Sequence, residues 1–327
     1  MGNNTSAGGA PAIIGSAEQL LAAVGLAGDS VPLAAAGARD FPVRVPDAYL
    51  RRIAKRDPRD PLLLQVLPRA EEDLPTAGFG ADPVGERKAM VAPGLLHKYR
   101  GRALLVATAA CPIHCRYCFR RHFPYRETDG WRDGWRQALA ALRRDRSIRE
   151  TILSGGDPLT LSNRRLAFLA GALADIPHMR RLRIHSRVPV VQPERIDAGL
   201  LSALGNWPRQ LVVVTHANHA RELGREATQA VARLRRAGAV LLNQAVLLRG
   251  VNDSAAAQAE LSEALFGAGI LPYYLHLLDP VAGAAHYRVG ERRAKALLRR
   301  LRARLPGYLV PRLVREREGE AYKRPVA

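Results

Sequence analysis

The chain has 327 residues, 47% of them hydrophobic, with 50 lysines and arginines against 30 acidic residues and a formal charge of +20. That length and apolar content suit one α/β barrel with an added segment, enough to bury a sizeable core. No run approaches the eighteen or so consecutive apolar residues of a membrane span, the N-terminus lacks the basic and apolar regions of a signal peptide, and three cysteines cannot form a closed disulfide framework, so a reducing cytoplasm is expected.

In chain order, residues 1–16 are small and polar and are expected to be poorly ordered; the opening MGNNTS fits a bare myristoylation pattern, with no second membrane signal nearby to support it. "SAEQLLAAVGLAG" then supplies an N-capping serine, an apolar face and a glycine stop, the marks of an amphipathic helix. Prolines break "FPVRVPDAYLRRIAKRDPRDPLLLQVLPRAEED" into short helical pieces, and "GFGADPVGERKAMVAPGLLHKY" reads as an irregular connection. Residues 1–95 are therefore expected to form a helical N-terminal segment.

From residue 96 to 327 the texture changes. Short β-type runs, "RALLVATAA", "ETILSGG", "RLRIHSRVPVV", "QLVVVTHAN", "AVLLNQAVLL" and "ILPYYLHLL", alternate with amphipathic stretches such as "DGWRQALAALRRD", "SNRRLAFLAGALADI" and "ATQAVARLRRAG". Strand and helix repeated about six times predict an α/β fold with parallel strands, either an open doubly wound sheet or a full or partial (β/α) barrel, and both place function at the carboxyl ends of the strands. The positive charge raises nucleic acid as a partner. It is, however, spread along the chain with no aromatic-and-basic recognition motif, and forty-five of the fifty basic residues are arginine, the lysines being Lys55, Lys88, Lys98, Lys295 and Lys323. A composition bias on solvated helix faces accounts for it better, and a lysine in such a chain is more often kept for its amine.

All three cysteines, Cys111, Cys115 and Cys118, fall in "CPIHCRYCFRRHFPY", just after the first predicted strand of the barrel. Three thiolates from one loop can hold an iron–sulfur cluster and leave one iron open, where ordinary ferredoxin sites use four cysteines. Two other readings stand beside it: a Cys3His zinc site completed by His114 or His122 in an RNA-binding module, and accidental core thiols.

Taken with "LSGGDPL", "HSRVPVV", "THANH", "NQAVLLRGVNDS" and "YYLHLLDPVAGAAH", the cysteine motif resembles that of the lysine 2,3-aminomutase family of radical S-adenosylmethionine enzymes. "FPVRVPDAYL", "DPLLLQVLP" and "PGLLHKYRGRALL" bring it nearest to the branch that serves β-lysylation of elongation factor P. The resemblance implies a partial (β/α)6 barrel whose C-terminal segment binds pyridoxal 5′-phosphate (PLP), and an isomerase that converts α-lysine to β-lysine. The alternative within enzymes is an aminomutase for another amino acid. It implies a 4Fe-4S cluster on Cys111, Cys115 and Cys118; S-adenosylmethionine against Ser154, Gly155, Gly156, Asp157, His216 and Gln244; and PLP on Lys323, its phosphate held by Lys98 and Arg102. Glycines there would let backbone approach a ligand and offer it amides. Arg120 is implied for the substrate carboxylate, and Asp279 and Glu316 for its distal ammonium. An electron donor such as a flavodoxin or ferredoxin, and a functional link to the lysyl ligase of elongation factor P, are the implied partners. The additional zinc-binding cysteines of larger family members are absent, so no structural zinc is expected.

Overall fold

The computed structural model describes residues 13–128 and 130–327. Residues 1–12, with the myristoylation pattern and most of the terminus expected to be poorly ordered, lie outside the described residues. Ile13–Ile14 (β1) pair antiparallel with Val45–Pro46 (β2), and the Ser16 side chain caps helix α1 (Ala17–Ala23) by accepting from Gln19 N. Two further short helices, α2 (Ala36–Asp40) and α3 (Asp47–Leu50), and several single turns complete the N-terminal segment. Its apolar residues, among them Leu20, Leu21, Tyr49, Leu62 and Leu63, are buried in the same core as the strands that follow.

The "irregular connection" ends in a hairpin instead. Met90–Ala92 (β3) and Leu95–Tyr99 (β4) pair antiparallel, turned by Gly94 at a positive φ of 71°, and β4 pairs antiparallel with Arg102–Thr108 (β5). Six strand–helix units then follow the expected order. The strands are β5, β6 (Glu150–Gly155), β7 (Arg181–Ser186), β8 (Gln210–Thr215), β9 (Val240–Leu247) and β10 (Leu271–Leu277). Helices α4 (Arg136–Arg144), α5 (Asn163–Ala174), α7 (Ala198–Leu204), α8 (Arg225–Arg236), α9 (Ala255–Gly267) and α10 (Glu291–Arg302) cross between them. "VPVV", read with its strand, forms a separate short helix α6 (Val188–Val191). A seventh parallel strand, β11 (Arg312–Arg315), follows α10, and β12 (Arg324–Pro325) returns antiparallel beside it.

The sheet order β12-β11-β10-β9-β8-β7-β6-β5-β4-β3 is linear, yet Lys98 at the end of β4 forms a 2.7 Å ion pair with Glu316, the residue after β11. Seven inter-strand steps in a flat sheet would hold these strands about 34 Å apart, beyond the reach of any two side chains. The sheet is therefore rolled into an open barrel, and the two-residue period of each strand divides its side chains. On β7, Leu182 and Ile184 pack into the core while Arg183 and His185 line the interior cavity; on β9, Leu241, Asn243 and Ala245 are buried while Gln244 and Val246 line it.

The cysteine loop after β5 is anchored to the N-terminal segment by backbone and charge. His114 N donates to Arg44 O (3.0 Å) and Arg116 N to Gln65 O (2.9 Å). Glu72, buried in its 3-10 turn, accepts from Arg116 Nε at 2.8 Å and Arg121 Nη2 at 2.9 Å, and Arg116 also reaches the carbonyls of Phe41 and Gly37. All three charges are dry. Replacing Glu72 with glutamine leaves two buried guanidinium groups without a counter-charge, and should lower the free energy of unfolding by about 3–5 kcal/mol, as measured by urea denaturation of the purified chain.

Candidate active site

The barrel encloses a cavity of about 360 Å³. Every site residue named from the sequence borders it: Cys111, Cys115, Cys118, Arg120, Lys98, Arg102, Ser154, Gly155, Gly156, Asp157, His216, Gln244, Asp279, Glu316 and Lys323. The topology explains the convergence. β5, β6 and β8 deliver the cysteine loop, the glycine turn and His216 at or just past their carboxyl ends, whereas Gln244 points inward from the middle of β9 rather than from its end.

The three thiols share one region of the wall. Burial raises the Cys118 thiol to about 11, aided by the neighbouring Cys115, and burial with Cys118 beside it pushes Cys111 well above the ordinary thiol range. Cys115 Sγ accepts from Arg187 Nη1 at 2.7 Å. That guanidinium is buried, and its other terminal nitrogen donates to Glu222 Oε2 and Gln65 Oε1, both at 2.7 Å. Asp157 fixes the backbone beneath it: its carboxylate accepts from Ser186 Oγ (2.7 Å), Arg187 N (2.6 Å), Val188 N (3.1 Å) and Leu159 N (3.1 Å). Asp157 thus holds protein rather than offering its carboxylate to a ligand.

The glycine turn also differs from its sequence reading. Gly156 N donates to Thr108 O and Asp157 N to Ala110 O, both at 2.7 Å, so these amides are already engaged. A Cβ on Gly155, which sits at φ +107°, would come within 2.7 Å of Thr108 O, and one on Gly156 within 2.7 Å of the Ala109 carbonyl carbon. What approaches the glycines is the protein's own chain at the root of the cysteine loop, so they seat that loop against β6.

The same cavity wall carries a cluster of charge. Glu316 Oε1 accepts from Lys98 Nζ (2.7 Å) and its other oxygen from Lys323 Nζ (2.9 Å). Although burial opposes it, these two ammonium groups hold the Glu316 carboxyl well below its ordinary range. Asp279 goes the other way, to about 7, first through burial and then through the negative Glu316. Arg102 lies with its guanidinium 4.6 Å from the Tyr99 ring and forms no ion pair among the described residues. Lys98, expected beside Arg102 on a phosphate, is instead engaged by Glu316.

Arg120 is buried and gripped by Glu86, Nε to Oε2 at 2.7 Å and Nη2 to Oε1 at 2.6 Å. Glu86, Arg187 and His185 border the cavity and were not singled out from the sequence as site residues. Two of them stand inside a quoted motif, "HSRVPVV", and Glu86 lies in the connection that read as irregular.

Two observations test the cofactors the motif implies. His185 Nε2 and His216 Nε2 are buried without a hydrogen-bond partner, and burial draws His216 down to about 3, so both imidazoles are neutral and one can accept from a ligand in the cavity. Among the described residues, no three His, Cys, Asp or Glu side chains converge on a single-ion position. His114 Nδ1 instead bonds Pro42 O (2.7 Å) and His122 Nε2 bonds Ala282 O (3.2 Å). Neither imidazole converges with the thiols on a Cys3His ion position among the described residues. A polynuclear cluster asks instead for three sulfurs bordering one space, and that arrangement is present.

No family model matches the chain. It is 48% identical to an L-lysine 2,3-aminomutase of Escherichia coli (strain K12), over 88% of this chain and 83% of that one. It is 44% identical to an L-lysine 2,3-aminomutase of Haemophilus influenzae, over 93% and 90%, and 37% identical to that of Clostridium subterminale, over 85% and 67%. The chain belongs to the lysine 2,3-aminomutase family of radical S-adenosylmethionine enzymes. Among solved structures it is similar to a radical SAM methyltransferase of Sphaerobacter thermophilus, with 22% identity and a TM-score of 0.47 over 68% of each chain. No helix of the described residues is long and apolar enough to cross a membrane.

In this family setting the acidic wall is testable without turnover. Because Asp279 keeps its proton to about pH 7 when folded but only to about 4 when unfolded, it favours the folded state below pH 4. That advantage is lost as pH rises through 7. Asp279→Asn should therefore melt a few degrees above the wild type at pH 8, with the difference growing from about pH 4 and levelling above 7 in calorimetric scans across that range.

Proposed function

We propose that the chain catalyses the isomerisation of α-lysine to β-lysine, with the amino group moving from C2 to C3 and a hydrogen from C3 to C2. The observation that carries this reading is the polarity of one cavity. Arg120 borders it, a fork suited to a carboxylate, and so do Asp279 and Glu316, the latter already holding two primary ammonium groups of the protein itself. A zwitterion with a second ammonium at its far end matches both. A dicarboxylic amino acid would set its distal carboxylate against two acids.

In this reading Cys111, Cys115 and Cys118 hold the 4Fe-4S cluster, and Ser154, His216 and Gln244 border the S-adenosylmethionine. The amine of Lys323 is the attachment point for PLP, with Arg102 free to take its phosphate. When bound, the cluster and S-adenosylmethionine supply a carbon-centred radical, and PLP supplies the carbonyl carbon that carries the migrating nitrogen. The protein's residues do the positioning. Arg120 fixes the carboxylate end, Asp279 and Glu316 fix the chain end, and the distance between them sets C2 and C3 opposite the cofactors. The enclosed cavity keeps water from a reactive carbon. Occupation of Lys323 by PLP takes its ammonium from Glu316, which frees that carboxylate for the substrate. The neutral form of Asp279 cannot attract an ammonium as strongly, so lysine binding should tighten as pH rises through about 7.

The likeness to the branch that serves elongation factor P supports a further extension: β-lysine made here supplies the ligase that modifies that factor, with electrons from a flavodoxin or ferredoxin. The deciding assay is anaerobic. The chain reconstituted with iron, sulfide, S-adenosylmethionine, PLP and a reductant should convert α-lysine to β-lysine by mass spectrometry, and a fully loaded preparation yielding no β-amino acid overturns the reading. Lys323→Ala should remove the visible PLP absorbance and leave the iron content unchanged.

A further inference from the structure

We infer that Glu86 is the positioning residue of the carboxylate end: it fixes the guanidinium of Arg120 in one orientation, with its remaining N–H facing the substrate. The inference rests on the assignment of the lysine carboxylate to Arg120. A guanidinium has five N–H donors in a rigid plane. Glu86 takes the side-on pair, from Nε at 2.7 Å and Nη2 at 2.6 Å, and Ser154 Oγ accepts from Nη1 at 2.9 Å. Nη1 also reaches Gly155 O at 3.5 Å, so four donors are engaged, and the second N–H of Nη2 is left for a carboxylate in the cavity that Arg120 borders. Because Glu86 and the substrate use different edges of the plane, the substrate does not have to displace Glu86.

The pair is built rather than incidental. Arg120 and Glu86 side chains are 7% and 5% exposed, and the turn that carries Glu86 is itself fixed, with Asp82 accepting from Glu86 N (2.9 Å) and Arg87 N (3.2 Å). The same connection is laced to the chain just beyond Asp279: Gly80 N donates to Pro280 O (2.9 Å), and Ala282 N donates back to Gly80 O (3.0 Å). One strap therefore ties Glu86 to the chain that carries Asp279. Without Glu86, a long arginine in the cavity would recover its rotamer freedom and bind a carboxylate in several poses.

The test compares L-lysine with L-lysinamide, which keeps both amines and lacks the carboxylate. Binding is read by titration calorimetry on the full chain loaded with cluster, S-adenosylmethionine and PLP, the cluster left oxidised so that nothing turns over. Glu86→Gln keeps the size but breaks the two-oxygen grip. Its Kd for lysine should rise about tenfold or more while that for lysinamide changes less than about twofold. Glu86→Asp, which keeps the charge, should fall between and carries the test if the glutamine variant does not fold. Wild-type or tighter lysine binding by Glu86→Gln, or equal weakening for both ligands, overturns the inference. Arg120→Ala separates the two layers: it should bind both ligands alike, and if it still prefers lysine the assignment of the carboxylate to Arg120 fails. If Arg120→Ala loses the preference while Glu86→Gln keeps it, only the role of Glu86 fails.

Discussion

The structure depends on charge buried around the cysteine loop. Three arginines there, Arg116, Arg121 and Arg187, lie out of water, and two carboxylates far off in sequence pair with them, Glu72 with the first two and Glu222 with the third. An unpaired guanidinium at such depth would cost several kcal/mol, so the loop has one low-energy position, with the N-terminal segment and the barrel both in place. This is why the segment ahead of the barrel is more than an appendage. It supplies Glu72, Gln65 and the carbonyls of Phe41 and Gly37, and without them the loop that carries all three thiols has no fixed floor.

A rolled sheet with an open interior would ordinarily be filled by branched apolar side chains in layers. Here the inward positions of β7 and β9 are Arg183, His185, Gln244 and Val246, three of them polar, and the interior is left as a cavity. Two charged groups border it: the Arg120–Glu86 pair with Ser154, and the Lys98–Glu316–Lys323 chain. The second of these also bridges the first and last parts of the sheet. The contact that lines the cavity thus also spans the opening between β4 and β11.

The parts legible in the sequence were those written in short-range patterns: strand and helix periods, the serine cap of α1, and the spacing of three cysteines. The hairpin β3–β4 was hidden because "MVA" and "LLHKY" are too short for a two-residue period to declare itself. The seventh parallel strand, "RLVR", was hidden for the same reason. Glycines 155 and 156 were found for the right property and the wrong neighbour, since close approach is evident in the residue type but its partner, the Ala109 and Ala110 backbone, is set by tertiary folding. Glu86, Glu72 and Glu222 gave no signal at all. An acid that neutralises an arginine 34, 44 or 35 residues away looks, in one dimension, like any solvated charge.

The scarcity of lysine gains a physical sense from the same contacts. Arg116, Arg120 and Arg187 each satisfy two or more acceptors in a dry interior, a task for a planar fork that a single ammonium cannot perform in fixed orientation. Of the five lysines, Lys55 meets a carbonyl, and Lys88 and Lys295 form exposed ion pairs of the kind that contribute little. The remaining two, Lys98 and Lys323, meet on the one carboxylate of Glu316 inside the cavity. There each compact ammonium meets one carboxylate oxygen as a point charge, without the planar fork of a guanidinium. The composition that first looked like a bias toward arginine thus separates two kinds of contact: forks that hold several acceptors in the dry interior, and ammonium groups that meet on one carboxylate in the cavity.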